Sequence, residues 1–192
     1  MSTRSSLQGL AQAWLRGWFA LAVFALAASA AAQSPVRSID VAYDGETYVV
    51  KARMFAPVPQ AIAWDVLTDF PNMAKWVPNV RESVIVKPGE RQFTIEQRGT
   101  AKFGGLSFSY TSLREIVLNP QTTIQSTQIK GSMKRQQSLM TVSAEGDGTR
   151  LQYQLELVPS MLASAVVSPD FLKHEMEEQF TAIVGEMVKR KK

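Results

Sequence analysis

Two periodicities organise the chain. Tyr48, Val50, Ala52 and Met54 alternate with Val49, Lys51 and Arg53, the period of a half-buried strand. Asp44-Gly45 before it is a turn signal, and Pro57 and Pro59 close it. Ala63, Val66, Leu67 and Phe70 then recur at i, i+3, i+4 and i+7, one face of a helix that opens at Pro59 and stops at Pro71. A second short helical piece, 72–76, precedes Pro78. Period two then returns and predicts strands at 81–87, 92–98, 106–118, 122–130, 135–144 and 151–158. Between them lie Pro88-Gly89, Gly104-Gly105, Asn119-Pro120, Gly131 and Gly146-Asp147-Gly148, all turn compositions. Short turns at even spacing predict an antiparallel meander.

The last element is a helix. Ser168 is a good N-cap and Pro169 a good first residue. Leu172, Met176, Phe180, Ile183 and Met187 form an apolar stripe, with His174, Glu177 and Glu178 on the opposite face. The stripe needs a surface to cover, and so does the inner face of the sheet. The order therefore predicts an α+β fold. A seven-stranded antiparallel curved sheet wraps around a long C-terminal helix, with two short helices between strands one and two.

Residues 1–32 follow a different pattern. Arg4 and Arg16 are the only charges before Arg37, and an apolar run from Trp18 to Ala28 ends in Ala30-Ala31-Ala32. A basic start, a short apolar stretch and an A-x-A site predict a secretory signal cleaved near Ala32. The alternative is an uncleaved anchor, although the run is shorter than the roughly 20 residues that span a bilayer. The expected organisation is a signal at 1–32, a lead-in at 33–45, one domain at 46–188 and a basic tail at 189–192. The expected compartment is the periplasm or the exterior.

Composition then narrows the chemistry. The 192 residues include 21 Lys and Arg, 17 Asp and Glu, one His and no Cys. Disulfides, thiol nucleophiles, Cys-ligated metals and Cys-linked lipid anchors are thereby excluded. A single His argues against a His-rich metal site or a Ser–His–Asp triad. Neither a cofactor nor a metal is expected. Two of the 21 basic residues lie in the signal, so 19 remain against 17 acidic ones, and four of those 19 are Lys189, Arg190, Lys191 and Lys192. The body is not basic, which removes the main support for nucleic-acid binding. The tail complements a helix C-terminus, with weak contact to anionic lipid as the sharper reading.

Inward faces carry the candidate site. Phe93 and Ile95 share a face with Gln97. Phe108, Tyr110, Ser112, Arg114, Ile116 and Leu118 share one in the next strand, and Leu151, Tyr153, Leu155 and Leu157 in the last. A charge on such a face is costly unless paired or wet. Arg114 therefore either binds the polar head of an apolar ligand, pairs with a core carboxylate, or is turned outward by a bulge. Met140, Met161, Met176 and Met187 suit a deformable apolar wall. Trp64 and Trp76 suit packing or a cavity mouth, and Asp69 a helix-end turn. Lys102-Phe103-Gly104-Gly105 has the glycines of a mobile gate. The candidate ligand-binding set is Trp76, Phe93, Ile95, Phe108, Tyr110, Arg114, Met140, Tyr153, Leu155, Met176 and Phe180.

Ala63-Trp64-Asp65-Val66-Leu67-Thr68-Asp69-Phe70-Pro71 followed by Trp76-Val77-Pro78-Asn79-Val80 resembles the opening of the START/Bet v 1-like (SRPBCC) superfamily, in its polyketide cyclase/dehydratase and coenzyme-Q-binding branch. Gly148-Thr149-Arg150-Leu151-Gln152-Tyr153 and then Pro159 resemble its penultimate segment. The resemblance covers roughly residues 46–188. It implies a helix-grip fold with a deep apolar cavity between sheet and helix, and ligands such as lipids, isoprenoid quinones or polyketides. The expected function is an exported, monomeric carrier of a small apolar molecule. The alternative is a cyclase or dehydratase, with acid–base work falling to Tyr110, Tyr153 or Arg114.

Overall fold

The computed structural model describes residues 34–192, and the expected signal, with its cleavage site, lies outside them. Ser34–Lys192 is one compact unit that contains the whole hydrophobic core. Its order is β1 (Val36–Tyr43), β2 (Tyr48–Ala56), α1 (Gln60–Thr68), a 3₁₀ turn (Phe70–Lys75), β3 (Val80–Lys87), β4 (Gln92–Phe103), β5 (Leu106–Asn119), β6 (Thr123–Gly131), β7 (Met133–Glu145), β8 (Gly148–Pro159), a short 3₁₀ turn (Ala163–Ala165) and α2 (Pro169–Arg190).

All strands belong to one antiparallel sheet in the order β1-β2-β8-β7-β6-β5-β4-β3. The fold is the expected α+β helix-grip with a correction: the sheet has eight strands, not seven. The extra strand, β1, occupies most of the segment expected as a lead-in. It is an edge strand, and a register shift between Val36 and Ser38 breaks its alternation. Only Val36, Ile39 and Val41 pack on the core, so period two is faint in the sequence. Most of the other strands run longer than their apolar patterns, β4 by five residues to Phe103.

The local logic of the remaining elements follows the sequence. Tyr48, Val50, Ala52, Met54 and Ala56 of β2 are all buried. Ser168 Oγ accepts the backbone N–H of Phe171 at 3.2 Å, and Pro169 begins α2. Asp69 ends α1 and begins the 3₁₀ turn, and it accepts from Asn72 and from Arg190 Nη2, each at 2.7 Å. That is the turn role its sequence position suggested.

The register separates two ends of the sheet. One carries the β1–β2, β4–β5 and β6–β7 turns and the β8–α2 loop, because Tyr43 pairs Tyr48, Ser112 pairs Gly131 and Met133 pairs Pro159. The other carries α1, the remaining turns and the end of α2. The basic tail lies at this far end, where Arg190 bonds Asp69 and Lys191 Nζ donates to Pro57 O at 2.6 Å.

Candidate functional site

Between sheet and α2 lie two adjoining chambers, of about 160 and 130 Å³. Each is smaller than the roughly 300–1,000 Å³ usual for a small-molecule site. Together they come to about 290 Å³, close to the lower bound of that range, so a small ligand would fill both. The first chamber lies toward the end of the sheet that carries the β6–β7 turn, beside Ser132, Met133 and Phe171, and this end is termed the mouth. The second is walled by Leu67, Phe70, Ile116, Ile124, Met140 and Phe180. Val80, Gln97, Arg114, Tyr153, Met176 and Gln179 line both, and so mark the boundary.

Arg114 settles inward. A register shift falls between Leu113 and Arg114, yet the side chain still faces the chambers. Its Nη2 donates to Gln97 Oε1, and Nη1 lies 3.5 Å from Ser126 Oγ. Gln97 is oriented for this by donating to Ser83 Oγ at 3.0 Å. Among the described residues Arg114 has no carboxylate partner. Burial lowers its pKa, with Tyr153 and Tyr110 acting the other way.

Four residues that line the first chamber each hold a buried polar atom with no protein partner: Arg114 Nε, Ser112 Oγ, Asn79 Oδ1 and Gln128 Oε1. Such a concentration is unusual, because buried polar groups are nearly always hydrogen-bonded. The set offers one donor, two acceptors and a hydroxyl that can be either.

Glu175 also lines this chamber and is only 3% exposed. Asn79 Nδ2 donates to its Oε2 at 2.6 Å, and the Lys102 N–H to its Oε1 at 3.3 Å. Burial raises its pKa against these two bonds. Tyr110 Oη donates to Asn79 O at 3.1 Å, and burial pushes its hydroxyl up to about 12. Gly99 makes room for this contact, since a Cβ there would lie 2.6 Å from Tyr110 Oη. His174, Glu175 and Glu178 bring ligand atoms within 4.8 Å of one another, which is metal-binding spacing. Glu175 points inward onto its two donors, however, while His174 and Glu178 are exposed.

Eight of the eleven candidates line the chambers: Phe108, Tyr110 and Leu155 at the mouth side, Met140 and Phe180 at the far side, and Arg114, Tyr153 and Met176 along both. Phe93 and Ile95 are core residues away from the chambers, Phe93 meeting Phe70 edge-on at 5.5 Å between ring centroids. Trp76 packs against the core outside both chambers. Met187 is fully buried in the core, and Met161 is almost fully exposed rather than part of a cavity wall. Sequence reasoning missed Glu175, Asn79 and Gln128. Glu175 was findable, because it stands four residues after Phe171 and three after Leu172, on the apolar face of α2.

Comparison with known proteins agrees with this fold. The family described as polyketide cyclase/dehydrase and lipid transport matches residues 47–190. The Zhui aromatase/cyclase from Streptomyces sp. R1128 superposes with a TM-score of 0.64 at 17% identity, over 75% of this chain and 95% of that one. A STAR-related lipid transfer protein fragment from Xanthomonas axonopodis gives 0.60 at 12%, over 78% and 98%. A START superfamily protein from Mycobacterium smegmatis gives 0.58 at 15%, over 74% and 96%. At these identities the likeness is one of fold. No curated protein matches the chain.

Proposed function

The chain belongs to the polyketide cyclase/dehydrase and lipid transport family, and from that premise we propose that it is an exported carrier of a single amphiphilic molecule, a lipid-like or isoprenoid compound with one polar head. The apolar part occupies the far chamber and the head occupies the mouth-side chamber. The observation that carries this reading is the set of four unpartnered polar atoms on Asn79, Ser112, Arg114 and Gln128, residues that all line the first chamber, beside a second chamber with a more apolar wall. A head with both donors and acceptors would satisfy them, and Arg114 favours an anionic or carbonyl-bearing one. The signal pattern of residues 1–32 supports export.

Displacement of two fluorescent apolar probes, one carrying a sulfonate and one neutral, tests the head-group role. Arg114→Met should weaken the anionic probe about tenfold or more, the worth of a hydrogen bond to a charged group. The neutral probe should be unaffected. Equal weakening of both probes would show that Arg114 only shapes the cavity.

One observation favours a second reading, a cyclase or dehydratase acting on a polyketide-like substrate. Glu175, with its raised pKa, and Arg114 line the same chamber, a proton carrier beside an oxyanion stabiliser. In that case Glu175→Gln abolishes turnover and spares binding.

A further inference from the structure

The loop from β8 to α2 holds two adjacent large apolar side chains out of the fold. Met161 is 89% exposed and Leu162 80%. The loop is tied down on both sides of them. Ser160 Oγ accepts the N–H of Ala163 at 3.2 Å, and Ser160 O accepts that of Ser164 at 2.9 Å. Ala163 and Val167 are buried, and Tyr48 Oη donates to Val167 O at 3.1 Å. With the buried sites of the loop already filled by Ala163 and Val167, Met161 and Leu162 are kept outside.

Their place in the fold says what would cover them. Pro159, at the root of the loop, pairs with Met133, which lines the mouth-side chamber, and the loop ends in α2, whose Phe171 and Leu172 line it too. The apolar pair thus stands on the rim of the mouth. Lys130, Lys134 and Arg135, all exposed, sit on the adjoining β6–β7 turn. Lys134 is paired with Glu46, whereas Lys130 and Arg135 form no ion pair among the described residues.

We infer that Met161 and Leu162 insert into a phospholipid bilayer, with Lys130 and Arg135 against anionic headgroups, and so set the mouth on the surface from which an amphiphile is drawn. This rests on the cavity being a ligand site. It also assigns membrane contact to the end of the molecule opposite the basic tail.

The test is flotation of the compact unit Ser34–Lys192 with vesicles of phosphatidylethanolamine and phosphatidylglycerol, beside a double variant, Met161→Asp with Leu162→Asp. Light scattering and native mass spectrometry are run on both proteins. The wild type should float with the vesicles. The variant should bind about tenfold less or worse, from the loss of two buried apolar side chains, with an unchanged melting temperature and cavity content. Raised salt should weaken wild-type binding. Equal flotation of the two proteins, or none by the wild type, overturns the proposal. So does a wild-type dimer that the variant dissolves, since a second copy then covers the pair. Vesicle binding by a chain whose cavity holds no amphiphile would uphold docking while removing the carrier reading. A loaded chain that ignores vesicles would do the reverse.

Discussion

Arg114 brings a guanidinium to the boundary of two chambers, and protein acceptors reach only two of its three nitrogens. A buried charge without a counter-ion opposes folding. Arg114→Met should therefore melt no lower than the wild type while losing the anionic probe, whereas a structural ion-pair residue would lose both stability and binding. Glu175 makes a parallel case. Its folded pKa is raised above the ordinary 4.5, so stability falls as pH climbs from that value through the raised one. Glu175→Gln should raise the melting temperature at neutral pH, and the gain should shrink as pH falls toward the ordinary value. A gain that grows with acidity would contradict the assignment. Arg114 was legible in the sequence because strand alternation put a charge on an apolar face. Asn79 was not: it follows Pro78 in a connection, where no period says which way a side chain points. Gln128 shares the inward face of β6 with Ile124 and Ser126, so alternation could have found it.

The β4–β5 hairpin packs against the start of α2, whose Phe171 and Glu175 line the first chamber. Phe103 lies between Phe171, at 6.3 Å between centroids, and the His174 ring, at 5.1 Å, while Lys102 N–H bonds Glu175. Gly104 and Gly105 turn the chain with φ of +56° and +82°, which glycine adopts at little cost. Phe103→Ala removes the aromatic clasp, worth about 1 kcal/mol, and should speed exchange of a bound probe severalfold in stopped-flow with little change in fold. Unchanged exchange would place the entrance elsewhere. The glycine pair marked this hairpin in the sequence, but the clasp joins residues some seventy positions apart, and no local pattern encodes that. The same contrast explains the strands. Those with one buried face were legible from alternation. The edge strand β1, with its bulge and three packing residues, was not.

At the scale of the molecule, the sheet and α2 build a container with distinct ends. The far end is closed by α1, by the Arg190–Asp69 pair and by Lys191 on Pro57. The mouth end gathers the glycine hairpin, Glu175 and the exposed Met161-Leu162 pair. The topology was largely readable from the order of elements, because a long amphipathic helix and a one-sided sheet each need the other's apolar face. The division of the interior into a more polar and a more apolar chamber was not, because it depends on which side chains from six strands, both helices and the first 3₁₀ turn converge. If the chain is a carrier, one amphiphile spans both chambers. Native mass spectrometry of the chain isolated without added detergent, followed by solvent extraction, measures this most directly. One bound molecule per chain, with an apolar body and a single polar head, is the predicted result. A chain of bare mass that takes up no amphiphile from added vesicles or micelles would contradict it.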